Sequence, residues 1–142
     1  MTKIFFEFTV IISLIWAGMI LGISFLEAWI KFHAPTLTKA VGLDVGRTVF
    51  RGFHNVQLVL ALLLVITVIL ANPLHHIWLL TLVALIILAV QMIVLFPRLN
   101  KRTTAIIAGQ LLPVSYTHTC YGILEIIKLI DLFFIGWLIL NG

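Results

Sequence analysis

Long apolar runs, broken at a few turn-forming positions, set the pattern of this chain. Four runs stand out, over residues 4–32, 47–71, 77–96 and 113–140. Each is long enough to cross a bilayer as a helix, which takes about 20 mostly apolar residues. Ala34-Pro35 closes the first, because a residue before proline avoids the helical region. Gly42 and Gly46 permit turns in the connection over residues 33–46. Asn72-Pro73 separates the second run from the third. Pro97-Arg98 ends the third, and Pro113 suits the first turn of the fourth. Residues 98–112 are open between a loop, a short interfacial helix and a bent extension of the third helix. The expected fold is all-α: one four-helix transmembrane bundle of up-down topology over residues 1–142.

Polar positions inside these runs give the second level of pattern. Ser115, His118, Tyr121, Glu125 and Lys128 recur at helical spacing and share an arc of roughly 140°. The end of the first helix carries Ser24, Glu27 and Lys31 on one face. Arg47, Arg51, His54 and Leu58 share a face of the second helix, flanked by Asn55 and Gln57. The third helix holds one internal polar residue, Gln91, which projects to the same side as Arg98. In an up-down bundle the end of helix one, start of helix two, end of helix three and start of helix four meet at one end. Four polar clusters are therefore expected to converge there, with Asp131 the exception in the opposite half. Ionisable side chains inside a membrane are expensive and mark pathways, relays or paired clusters.

Composition removes the soluble alternatives. The chain is 63% hydrophobic and 10% charged, against about half and a quarter in soluble domains. Its formal charge of +4 does not imply nucleic acid, because no basic face or soluble fold exists to present one. The basic residues act instead as topology signals. Lys31, Lys39, Arg47 and Arg51 flank the first connection, and Arg98, Lys101 and Arg102 lie in 98–112. The other side has Lys3 and an uncharged turn at 72–76. The positive-inside rule then puts both long connections in the cytoplasm and both termini outside, as expected for a bacterial inner-membrane protein. Lys3 before an apolar run resembles a signal peptide, but the run outlasts an h-region and no Ala-x-Ala-like site closes it. Trp29, Trp78 and Trp137 suit the membrane interfaces, and Trp16 falls mid-helix as a packing residue. The lone Cys120 cannot form an internal disulfide.

Three chemistries fit the polar groups. Glu27 and Glu125 with Lys31, Arg47, Arg51 and Lys128, aided by Gln91, Arg98, Ser115 and Tyr121, suit a proton, ion or small-solute site. His54 and His118, on different helices, could ligate a haem iron or a transition metal, although no Glu-x-x-His, His-x-x-x-His or Cys-x-x-Cys accompanies them. An interhelical ion-pair latch that only fixes packing is the third. Gly18 and Gly22 form a Gly-x-x-x-Gly pair that allows close helix approach, and a homo-oligomer is expected.

The runs Phe25-Leu26-Glu27-Ala28-Trp29-Ile30-Lys31-Phe32-His33-Ala34-Pro35, Gly46-Arg47-x-Val49-Phe50 and Ser115-x-x-His118-x-x-Tyr121-x-x-x-Glu125-x-x-Lys128 resemble a small uncharacterised family of bacterial four-helix integral membrane proteins. That resemblance implies the fold and no activity. In layout the chain is also distantly similar to copper-resistance-D and protoporphyrinogen-oxidase-J type membrane domains, which implies metal or haem binding. Its first predicted helix contains no histidine. Small multidrug transporters share four helices and a first-helix glutamate, but the residues around Glu27 do not match theirs. The functional expectation is a polytopic membrane protein with a proton- or ion-coupled transporter or channel activity. The alternatives are a metal- or haem-binding membrane oxidoreductase and a structural or accessory subunit.

Overall fold

A computed structural model describes residues 2–142. Four helices make up the chain: α1, Thr2–His33; α2, Lys39–Ala71; α3, His75–Ile107; and α4, Thr117–Asn141. The first three are each long and apolar enough to cross a membrane. The fourth carries Glu125, Lys128 and Asp131, and all three are buried. Its charges therefore meet protein rather than the outer surface.

Helix ends differ from the sequence expectation, and each difference has a local cause. The second helix starts at Lys39, not Arg47, because Thr38 caps it: its Oγ1 accepts from the Val41 N–H at 3.3 Å. Gly42 and Gly46, expected in turns, lie inside this helix. A Cβ on Gly42 would sit 2.6 Å from Phe32, and one on Gly46 would sit 2.7 Å from the Lys31 ammonium. These glycines thus form the seam on which the end of α1 rests. No atom comes within 4 Å of a Cβ built on Gly18 or Gly22 among the described residues. Asn72 closes α2 in a left-handed conformation (φ 47°), its N–H donating to Val68 O.

The third helix continues through Pro97. A proline inside a helix removes one N–H and crowds the carbonyl four residues back. Here the preceding residues, Gln91–Leu95, are wound as π-helix, and the wider turn accommodates the ring. A second π stretch, Ile20–Glu27, lies in α1. Gly109 (φ 84°) follows α3. The connection is drawn back by Arg102, whose guanidinium donates to Pro113 O. The fourth helix therefore begins at Thr117 rather than Pro113.

Helix α1 packs against α2 and α4, and α3 packs against α4 and α2. Trp16, Ile20, Leu64, Val68, Ala84, Leu132 and Ile135 form the most enclosed part of the core. Small residues bring helices close, as at Gly136, where an added Cβ would lie 3.4 Å from Ser13 and Leu14. The outside is apolar: Ile11, Ile15, Leu62, Ile69, Leu82, Ile86, Ile130 and Phe133 are exposed. Exposed apolar area on this scale marks an interaction surface. The inside holds the polar groups, and buried Thr9, Ser13, Thr67 and Thr81 each donate to a carbonyl three or four residues back in their own helix.

Candidate functional site

The buried stripe of α4 supplies the core of the site. Tyr121, Glu125 and Lys128 follow one another at spacings of four and three, so they project from one face. Lys128 is completely buried. Its ammonium donates to Gln57 Oε1 at 2.5 Å, Gln91 Oε1 at 2.6 Å and Glu125 Oε1 at 3.1 Å. An ammonium has three N–H groups and no acceptor, so these three oxygens use its full capacity. Gln91 Nε2 donates to Glu125 Oε1 at 3.0 Å and to Tyr121 O at 3.4 Å. Trp16 Nε1 donates to Gln57 Oε1 at 3.0 Å, and the ammonium lies 5.9 Å from the Trp16 ring. All four helices thus contribute one member or more. Gln91 is the first residue of the π stretch in α3, which ties the irregular winding to this contact.

Charge accounting explains the arrangement. Removing an ammonium from water costs several kcal/mol unless a close anion and hydrogen bonds compensate. Glu125 supplies the anion and the two glutamines supply neutral acceptors. The compensation is incomplete on the acidic side. Glu125 Oε2 and Asp131 Oδ2 are buried with no hydrogen-bond partner among the described residues, and Gln57 Nε2 is likewise unpartnered. The interior therefore holds one carboxyl more than it has cations paired with it.

Next to this cluster, His54 Nε2 and Tyr121 Oη share a hydrogen bond of 2.8 Å. Phe96 meets the His54 ring edge-on at 4.7 Å, and Phe50 meets Tyr121 at 5.5 Å. Tyr121 also lines a cleft of about 230 Å³ where the end of α1, start of α2, end of α3 and start of α4 come together. Lys31, Arg47, Arg102 and His118 line the same cleft. At the far end of the molecule Lys3, Glu7, His76 and Asn141 line a wider depression of about 780 Å³.

The residues picked out in sequence divide between these places. Gln91, Tyr121, Glu125, Lys128 and His54 belong to the buried assembly. Glu27 and Lys31 form their own pair at 3.2 Å. Arg47 binds Asp44 at 2.6 Å and Thr104 at 3.0 Å, rather than either glutamate. Arg51 and Arg98 are exposed. Ser115 precedes α4 and bonds Thr117. The single arc drawn from Ser115 to Lys128 breaks because α4 begins only at Thr117. His54 is buried on Tyr121, while His118 is exposed at the cleft. Among the described residues no three His, Cys, Asp or Glu side chains gather as a metal site.

Sequence reasoning left Trp16, Gln57 and Asp131 outside the site. Gln57 could have been found from the apolar residues around it. Phe53, Leu60, Ala61 and Leu64 define the buried face of α2, and Gln57 lies in that row, whereas the face drawn through Arg47, Arg51, His54 and Leu58 is split, with His54 buried, Arg47 half-buried and Arg51 and Leu58 exposed. No family model, no curated protein and no solved structure matches the chain.

Proposed function

We propose that the chain is an up-down four-helix transmembrane bundle that handles protons or small ions, as a coupled transporter or channel. The observation that carries this reading is the buried carboxyl excess: Glu125 Oε2 and Asp131 Oδ2 lack partners beside a fully bonded Lys128. An unpartnered buried oxygen costs on the order of 1–3 kcal/mol, and a proton, a cation or water relieves that cost. Ionisable groups at such depth recur in proton relays and ion pathways. Polar groups extend to both sides of the cluster. Tyr121 reaches the cationic cleft. Towards the other end, Asp131 follows Lys128 on α4, Ser13 and Thr9 are buried on α1, and Glu7 lines the second depression. The lysine and arginine asymmetry supports a cytoplasmic cleft and external termini in a bacterial inner membrane. The open Gly18/Gly22 face supports contact with a second copy.

Proteoliposomes holding a pH-sensitive dye test this under an imposed membrane potential. Wild-type protein is expected to move protons faster than empty vesicles, and Glu125→Gln and Asp131→Asn to reduce that movement to background. Wild-type movement at the empty-vesicle rate refutes the transport reading. A second reading, an ion-pair latch that only locks four helices, is favoured by the complete use of the Lys128 donors. It predicts that Lys128→Met combined with Glu125→Gln folds and behaves as wild type in every flux assay.

A further inference from the structure

The cleft at the α1–α2 end presents cations without exposing their anions. Lys31, Arg47 and Arg102 line it, beside His118; Glu27 and Asp44, which pair with Lys31 and Arg47, do not. Arg102 donates to one backbone carbonyl, Pro113 O, and has no ion-pair partner among the described residues. A guanidinium carries five N–H donors, so both arginines keep donors free for an added anion. The Lys31 ammonium is seated over Gly46, where a Cβ would meet it at 2.7 Å. The remaining wall is apolar, including Phe32, Phe96 and Leu99.

We propose that this cleft holds the phosphate headgroup of an anionic phospholipid, with the acyl chains running along the apolar outer surface. The proposal rests on the reading that the chain spans a membrane with this end at the cytoplasmic leaflet. Size favours a headgroup: about 230 Å³ is below the ~300–1,000 Å³ typical of pockets for whole drug-sized ligands. Chemistry favours a phosphate, because arginine forks bind its oxygens in pairs. Basic pockets between membrane helices on the cytoplasmic side bind anionic headgroups in this way. Asn100 lines the cleft with a buried side-chain oxygen that has no partner among the described residues, an acceptor for a headgroup hydroxyl. The exposed neighbours Arg98 and Lys101 add to the local positive field.

Native mass spectrometry of the purified full chain tests the site. Phosphatidylglycerol, phosphatidylcholine with the same acyl chains, and inorganic phosphate are supplied separately, and thermal stability is followed in parallel. Wild-type protein is expected to retain one phosphatidylglycerol per chain and to be stabilised by it, with phosphatidylcholine far weaker. Arg47→Gln with Arg102→Gln should weaken phosphatidylglycerol binding by about thirtyfold, while Lys3→Gln, at the opposite end of the molecule, stays within about twofold. Equal retention of the two lipids by the wild type overturns the proposal, as does an unchanged double variant. Stabilisation by inorganic phosphate without lipid retention overturns the lipid assignment. Should the double variant not fold, the wild-type comparison of the two lipids decides alone. Failure of the wild type to float with liposomes of either composition contradicts the membrane-spanning reading itself, which separates the two failures.

Discussion

Two polar regions lie within reach of Tyr121, and they are built on opposite terms. Around Lys128 every group is buried, every ammonium proton is bonded and all four helices contribute. Around Arg47 and Arg102 the groups are half-exposed, held by neighbours in sequence or by a loop carbonyl, and open to a cleft. In the first region a charge exists only because its partners exist. In the second, each charge could stand alone in water. The same residue types therefore carry different energetic weight, and what distinguishes them is depth.

Substitution should expose that difference most strongly at Lys128. Lys128→Ala leaves Glu125 charged and unpaired in the interior, at about 3–5 kcal/mol, and Arg102→Ala at the cleft should cost no more than about 1 kcal/mol. Chemical or thermal unfolding in a fixed detergent compares the two. Adding Glu125→Gln to Lys128→Met should recover most of the loss, since the pair then disappears together. Equal costs at the two sites would erase the distinction.

A smaller effect is expected at the glutamines. Gln57→Leu removes an acceptor from Lys128 and from Trp16, and Gln91→Leu removes one from Lys128 and a donor from Glu125. Each orphaned buried group costs about 1–3 kcal/mol. Gln110→Leu, on the exposed connection, should change the same unfolding transition negligibly.

The smallest and sharpest contrast lies in the two seam glycines. Gly42→Ala drives a Cβ to 2.6 Å from the Phe32 ring, and Gly46→Ala drives one to 2.7 Å from the tip of Lys31. An aromatic ring packed in place resists; a lysine tip swings away. Alanine also gains roughly 0.5–1 kcal/mol over glycine inside a helix. Gly46→Ala is therefore expected to be neutral or slightly stabilising, and Gly42→Ala destabilising. Matching shifts of the two in a thermal melt would contradict the packing described here.

Helix number and type were legible because apolar runs this long have few other structures available. The functional expectation draws on polar residues that the core uses: Tyr121, Glu125 and Lys128 follow their shared face on α4, and Gln91 meets them from α3. Legibility failed where a local signal was outweighed by packing. Gly42 and Gly46 read as turns until Phe32 and Lys31 are seen resting on them. Pro97 reads as a stop unless the π winding of residues 91–95 is known, and hydrophobic period alone carries no mark of it. Charge also misleads: a face centred on Arg47, Arg51 and His54 takes in the buried His54 but leaves the uncharged Gln57, which is fully buried, at its flank. Asp131 reads in sequence as an isolated exception, since a partnerless carboxyl has meaning only once its burial is known.

A bundle that handles protons, as proposed above, needs a carboxyl in the core beside Lys128 that takes and releases a proton without the helices coming apart. Infrared difference spectroscopy of the protein in lipid, stepped across pH, observes that carboxyl directly. A protonated-carboxyl band is expected that rises and falls reversibly with pH while the helical amide signal stays constant, and that disappears in Asp131→Asn. A spectrum with no pH-dependent carboxyl band in the wild type, or a band left intact by Asp131→Asn, would contradict proton exchange in this core.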